Sequence, residues 1–274
     1  MRFGLFGINN GALATNPADA IRVAVAAEQA GWESVWASEH YVLPDPPVPA
    51  APLPPDALIL DPFVALSNVA AHTKNLSLGT GVLVLPLHNP LILAKKVASL
   101  DRVSNGRFQL GVGVGYLEPE FRALGVPLAG RGERTVECLD AMEAVWAGLD
   151  FKGHHVEFAQ VRAEPKPVQA HVPVHFGGHV AASFRRAVTR GRGWYGWSLD
   201  LEAAGKAIAE VRKFDRPAEL GPLEISVTPP PRDRIDKAVV DAYAELGVTR
   251  LVLVPRWAQV GSVLEFVDDV AAFF

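Results

Sequence analysis

The chain is predicted to fold as an α/β protein: a single (β/α)8 barrel spanning residues 1–274, with a long proline-rich loop after its second strand. Three observations predict it. Short apolar extended runs alternate with amphipathic helical runs eight times. The 274 residues divide into units of roughly 34 residues, the size of one strand, its helix and two short loops. No linker-like tract separates the halves. Pattern alone does not show closure, so a doubly wound open sheet is the competing arrangement.

RFGLFGI is the first strand. Asn16-Pro17 caps the following helix, which closes at Gly31 with Val23, Ala26, Ala27 and Ala30 on one stripe. SVWASEH is the second strand, and Asp61-Pro62 opens a helix ending near Thr73. LSLGTGVLVL is the third, followed by a helix from Asn89-Pro90 whose Leu93, Val97 and Leu100 face the core. RFQLGVGV and RTVECLDAMEAVWAGL form the fourth unit, and FKGHHVEF reads as a hairpin excursion. VPVHFGG, GWYGWS, LEISVT and TRLVLVP complete the strands, with helices over about 180–190, 201–214, 233–246 and 261–273.

Residues 41–60 carry seven of the 22 prolines, a density incompatible with helix or sheet ladder. Such a loop at the C-terminal mouth of a barrel reads as a lid or substrate wall, against a tolerated surface insertion. In GRFQLGVGVGYLEPEF the glycines 111, 113 and 115 alternate with Leu110, Val112 and Val114. This is not a dinucleotide fingerprint, because Tyr116 stands where the third glycine belongs, three residues after Gly113, and the motif is absent from the first βα turn. Alternation puts the glycines on the inner face, and Gly79 and Gly81 repeat the device one strand earlier. Two cleared strand ends point either to a flat ligand or to close internal packing.

A net charge of −4 gives no basic excess for nucleic acid or an acidic membrane. The single cysteine, Cys138, excludes an intrachain disulfide framework and a thiolate metal cluster, and it reads as a buried filler. The start MRFGLFGINN lacks a signal-peptide run and no stretch approaches a membrane span, so a cytoplasmic location is expected.

WASEH, the block from LSLGTGVLVL to GYLEPEF, and VPVHFGGH together resemble the bacterial luciferase-like oxidoreductases, in particular their deazaflavin-dependent branch. The resemblance runs over about residues 1–255. It implies a barrel that holds coenzyme F420, or alternatively FMN, at its C-terminal mouth. By the same resemblance, a non-prolyl cis peptide lies at Gly81-Val82, Gly113, Val114, Gly115 and Tyr116 contact the cofactor, and Gly177, Gly178 and His179 form the phosphate turn. That turn precedes a helix N-terminus, a natural anion site. Arg185, Arg186, Arg190 and Arg192 follow it, one or two of them available to a phosphate or an acidic tail. His40 matches the histidine that takes a hydroxyl proton, work suited to imidazole. Glu39 beside it would orient the ring or the cofactor, although alternation points neighbours apart. The departure is Tyr116, which stands where the branch's sugar dehydrogenases carry an acidic glutamate, with Glu118 two residues on.

His171, His175 and His179 recur every four residues, but Pro173 and the Gly177-Gly178 pair forbid the helix that would make them metal ligands. His154-His155 are expected to face solvent and His88 to line the mouth, with Trp194, Trp197, Thr228, Arg256 and Trp257 from the later strands. The functions in view are hydride transfer between deazaflavin and a small organic substrate, and an FMN-dependent monooxygenase with a separate flavin reductase. A third is a cofactor-binding protein without catalysis. A homodimer is implied by the resemblance alone.

Overall fold

The computed structural model describes residues 1–231, 235–255 and 259–273. Eight parallel strands close into a barrel: β1 (Arg2–Phe6), β2 (Ser34–Ala37), β3 (Ser77–Thr80), β4 (Phe108–Gly113), β5 (Val174–Gly177), β6 (Gly193–Gly196), β7 (Glu224–Val227) and β8 (Arg250–Leu253). β1 pairs with β8 through Arg2↔Arg250 to Leu5↔Leu253, and β3 pairs with β4 through Leu78↔Phe108, so no edge is left open. The open-sheet alternative is thereby excluded.

Each strand is followed by a helix: α1 (Pro17–Gln29), α2 (Pro62–His72), α3 (Pro90–Val103), α4 (Arg131–Ala147), α5 (Ala181–Arg190), α6 (Leu201–Val211), α7 (Lys237–Glu245) and α8 (Val260–Ala271). Three starts carry the expected Asx-Pro signal. Asn16 accepts from Ala18 N–H, Asp61 from Val64 N–H, and Asn89 from the N–H groups of Leu91 and Ile92. The buried face of α1 is Ala20, Val23, Ala24 and Ala27, rotated from the expected stripe so that Ala26 and Ala30 are half-buried. The excursion is a hairpin pairing Phe151–Lys152 with Glu157–Phe158, and His154 and His155 are exposed. Cys138 is buried in α4, where burial pushes its thiol up to about 12.

Side chains fill the barrel in layers. At the N-terminal floor the fully buried Arg250 guanidinium meets Glu33 at 2.7 Å and 2.9 Å and Glu224 at 3.2 Å, and Arg2 adds a 2.9 Å pair to Glu224. Burial alone would raise the Glu224 carboxyl, but Arg2 and Arg250 hold it down to about 2. Above them, Trp36 stacks on Tyr195 with centroids 5.6 Å apart and meets His175 edge-on at 5.8 Å. His175 is fully buried with neither ring nitrogen hydrogen-bonded to the described residues, and burial, with Arg250 nearby, pulls its pKa to about 3. Its position on β5 inside the barrel disposes of the four-residue histidine spacing, and among the described residues no group of three potential ligands could hold a metal.

The inner glycines serve this packing. A Cβ on Gly79 would fall 2.5 Å from the Trp36 indole, and one on Gly4 2.7 Å from its Nε1. Gly79 therefore makes room for tryptophan, which decides that strand for close internal packing, one of the two readings its sequence allows. On β4, a Cβ at Gly111 would stand 1.7 Å from the Thr80 carbonyl oxygen, and one at Gly113 2.8 Å from Val82.

The interior sets two expected outcomes. Gly79→Ala costs about 1–3 kcal/mol in urea unfolding because the indole has nowhere to go, whereas Gly261→Ala, in open space on the first turn of α8, is neutral or stabilises by up to about 1 kcal/mol. Stability also falls with acid. His175 is neutral when folded, so its contribution is complete above its unfolded pKa of 6.5 and erodes as pH drops toward 3; that of Glu224 is complete above 4.5 and erodes toward 2. His175→Leu should flatten the pH 6.5–4.5 part of a Tm-against-pH curve, where Glu224 contributes nothing, and lessen the slope between 4.5 and 3, leaving there the part due to Glu224.

Candidate active site at the barrel mouth

The C-terminal ends of the strands carry the polar residues, and two buried carboxylates organise them. β2 ends at Ala37, and the extended chain beyond it turns Glu39 and His40 to different neighbours, as alternation requires. His40 Nδ1 lies 3.0 Å from Glu120 Oε2, and the Tyr41 N–H donates to Glu120 Oε1 at 2.7 Å. Glu120 comes from a short helical segment, Glu118–Ala123, and its side chain is 1% exposed. An ionised carboxylate only accepts, so neutral His40 carries its proton on Nδ1 and keeps the Nε2 lone pair. Glu118 is exposed and pairs with Arg122.

Glu39 has a separate role. Its Oε2 accepts from the Val84 N–H at 2.7 Å and from His88 Nε2 at 3.0 Å, and the Tyr41 hydroxyl reaches His88 Nδ1 at 3.2 Å. Glu39 thus does not orient His40, a correction to the sequence reading. It fixes the segment after β3 and the His88 ring, and its Oε1 is buried without a hydrogen-bond partner among the described residues. His88 does not line the mouth openly, since its side chain is 5% exposed. Burial, Glu39 and Asp61 raise the Tyr41 phenol, and burial with Glu120 raises that of Tyr116, so both stay protonated.

The Gly81–Val82 peptide is cis, and both residues are half-buried. The Val82 side chain points inward between Gly113 and Gly177, whose Cβ atoms would fall 2.8 Å and 3.2 Å from it. The main chain of residues 81–82 therefore forms the top surface here, flanked by Phe6, whose ring centroid lies 4.5 Å from that of Trp197. Val114 is half-buried, and the chain then turns at Gly115 (φ 74°), whose carbonyl accepts from Arg131 Nε at 3.1 Å. On the opposite side, Gly177 leads into Gly178 (φ 116°) and the exposed His179, whose Nε2 accepts from the Trp197 N–H at 3.1 Å. Burial lowers the His179 pKa, consistent with an accepting nitrogen. α5 begins next: the Val180 N–H donates to Ser183 Oγ at 3.1 Å and the Ser183 N–H to the Val180 carbonyl at 2.9 Å, which leaves the N–H groups of Ala181 and Ala182 without an acceptor in the helix.

Four large exposed side chains, Tyr41, Tyr116, Val180 and Trp197, follow the ends of β2, β4, β5 and β6. An apolar rim of this kind around a polar centre is the usual dress of a binding site. Trp194 and Thr228 do not join it. Trp194 is fully buried against Phe184 and donates to the Gly178 carbonyl, and Thr228 is buried against the Tyr195 hydroxyl. Arg256 and Trp257 lie outside the described residues. Residues 41–58 contain no helix or strand, and the loop is tied back where Asn9 donates to the Leu60 carbonyl at 2.7 Å and Gly11 N–H to the Leu58 carbonyl at 2.9 Å.

Sequence reasoning missed Glu120. Its one legible signal was a glutamate one residue before a buried phenylalanine in a helical turn, a place where only a partnered carboxylate is buried.

Fold and site together define a (β/α)8 barrel protein with an organised, aromatic-rimmed mouth. More narrowly, a family model described as luciferase-like monooxygenase matches residues 1–251, and the chain belongs to that family. An uncharacterised protein of Mycobacterium tuberculosis is 31% identical over 273 residues, covering 94% of this chain and 90% of the relative. The crystal structure of the monooxygenase RslO1 from Streptomyces bottropensis superposes with a TM-score of 0.81 at 19% identity, over 100% of this chain and 98% of the other. An F420-dependent secondary alcohol dehydrogenase in complex with an F420-acetone adduct gives 0.75 at 17% identity, over 100% and 98%. Among the described residues no helix is long and apolar enough to cross a membrane.

Removing the buried carboxylate tests the site's construction. Glu120→Ala leaves His40 Nδ1 and the Tyr41 N–H unpartnered and should cost about 1–3 kcal/mol in urea unfolding. Glu118→Ala should stay within about 0.5 kcal/mol, since that pair is exposed.

Proposed function

We propose that this protein is a deazaflavin-dependent oxidoreductase that moves hydride between coenzyme F420 and a small organic substrate, with His40 handling the accompanying proton. The observation that carries this reading is the His40–Glu120 pair at 3.0 Å, which leaves an unprotonated Nε2 on a ring at the mouth. The F420-dependent structural neighbour supports the cofactor, and the monooxygenase neighbour supports the FMN alternative.

The residues present fit such a group. The bare main chain at Gly81–Val82, with Val82 tucked beneath, offers a flat bed, and Trp197 and Tyr116 offer aromatic faces beside it. Gly177, Gly178 and the N-terminus of α5 would hold the phosphate. Gly113, Val114 and Gly115 would border the ring from β4. When bound, the deazaflavin supplies a carbon that accepts or donates hydride.

The chain's own part is proton management. His40 Nε2 accepts the hydroxyl proton of an alcohol, or returns it to a carbonyl oxygen, while the Glu120 carboxylate stabilises the imidazolium that forms. The raised Tyr116 phenol donates a hydrogen bond and keeps its proton. Glu39, through Val84 and His88, positions the bed and the Tyr41 side of the mouth. The proline-rich loop closes over the mouth as a substrate wall.

Titration of the protein with each cofactor tests the assignment. Micromolar binding of F420 with weak binding of FMN is the expected result, and the reverse would move the protein to the oxygen-using alternative. Binding of neither would leave no redox role. His40→Ala should keep F420 affinity while turnover falls by about 10²–10⁴-fold, and Glu120→Gln should cost about 10–100-fold. Unchanged turnover in His40→Ala would remove the proton-transfer role.

A further inference from the structure

A second imidazole–carboxylate pair stands at the mouth, apart from His40 and Glu120. His88 Nε2 lies 3.0 Å from Glu39 Oε2, and both side chains are buried. Tyr41, whose main-chain N–H donates to Glu120, brings its hydroxyl to the same ring, 3.2 Å from Nδ1 and 3.4 Å from Nε2. The proton transfer assigned to His40 uses neither His88 nor the Tyr41 hydroxyl.

The carboxylate sets the direction of these bonds. Glu39 Oε2 already accepts the Val84 N–H, and an ionised carboxylate only accepts, so the neutral His88 ring carries its proton on Nε2. Nδ1 then holds a lone pair, and the Tyr41 O–H donates to it. Burial, then the Glu39 and Asp61 charges, keep that phenol protonated. A hydroxyl has a single hydrogen. With that hydrogen turned inward to His88, the oxygen of Tyr41, a residue 40% exposed at the rim, offers the mouth lone pairs only.

His40 Nε2 is likewise a lone pair, and this side of the mouth adds no cation to receive an anion. Residues 38–61 and 81–89, the segments after β2 and β3, contain no lysine or arginine. After β4, Arg122 pairs with Glu118, and Arg131 donates to the Gly115 and Leu128 carbonyls. A substrate group that brings hydroxyl hydrogens fits between His40 and Tyr41. One that brings only negative oxygens meets lone pairs, with the Glu39 and Glu120 carboxylates behind them. We infer that Tyr41 is a specificity-determining residue whose oxygen accepts a hydrogen bond from a second hydroxyl of the substrate, so that an uncharged diol is preferred to a hydroxy acid. This rests on the hydride-transfer reading. The carbinol carbon gives its hydride to the cofactor, its O–H proton passes to His40 Nε2, and its C–O bond becomes a carbonyl. The second hydroxyl, held by Tyr41, is unchanged. The aromatic rim suits a substrate with a ring beside these hydroxyls.

Three alcohols on one phenyl frame test this with F420 as the hydride acceptor: 1-phenylethane-1,2-diol, 2-methoxy-1-phenylethanol and mandelate. The diol should exceed the ether in kcat/KM by about tenfold or more, because the ether lacks the hydrogen that Tyr41 receives. Mandelate should fall below both. Tyr41→Phe should bring the ratio of diol to ether toward one. A readout free of cofactor and of that variant's folding is the His88 tautomer in ¹⁵N-labelled wild-type protein, assigned by its loss in His88→Gln. Hydrogen on Nε2 and a lone pair on Nδ1 are expected. Equal rates for diol and ether, a preference for mandelate, a ratio that Tyr41→Phe leaves intact, or hydrogen on His88 Nδ1 would each overturn the role of Tyr41 and leave the cofactor assignment standing. Turnover of none of the three by protein that binds F420 would overturn the diol preference. Failure to bind F420 at all would overturn the cofactor assignment and the inference with it.

Discussion

One buried carboxylate holds the mouth of this barrel together. Glu120 reaches from a turn after β4 to accept both the His40 ring N–H and the Tyr41 main-chain N–H. A carboxylate buried in that position loses its hydration, and these two donors replace it. The two hydrogen bonds join the segments after β2 and β4, which the sheet itself does not pair, since β3 lies between them. Orientation of the imidazole follows from that bond, and the chemistry available at Nε2 follows from the orientation. Glu39 performs the corresponding task for the segment after β3 through Val84 and His88. Two carboxylates adjacent to the same strand end thus fix three neighbouring loops.

The interior below supplies the rigidity this needs. Trp36 occupies the middle of the barrel only because Gly4 and Gly79 lack side chains, and Val82 sinks into the top layer only because Gly113 and Gly177 do. Arg250, bound by Glu33 and Glu224, closes the floor. A ligand resting on residues 81–82 therefore rests on a packed column of side chains, not on a void. Polar groups with directional demands sit at the two ends, and aromatic surface fills the centre.

The fold was legible because strand-helix alternation and Asx-Pro caps are local signals. Asn16, Asp61 and Asn89 each opened the helix that their positions announced. The glycine alternation on β4 was legible as an inward face, but what occupied that face was not, because the Trp36 indole and the Thr80 carbonyl arrive from other strands. His40 and Glu39 were found at the end of β2, yet their partners were not, for the same reason: Glu120 is 80 residues from His40, and His88 is 49 from Glu39. Trp194 looked like a mouth residue and is buried, since alternation along β6 turns it toward α5. Local pattern fixes which face a residue takes, and only the closed barrel fixes whom it meets.

The chemistry open to the mouth depends most on which nitrogen of the neutral His40 ring carries the proton. Two-bond proton–nitrogen correlation spectra of the ¹⁵N-labelled protein, with His40 assigned by its loss in His40→Gln, read the tautomer directly and need no cofactor. The geometry predicts hydrogen on Nδ1 and a lone pair on Nε2. A spectrum showing hydrogen on Nε2 would contradict it, because the base at the mouth would then be blocked and Glu120 would be holding something else.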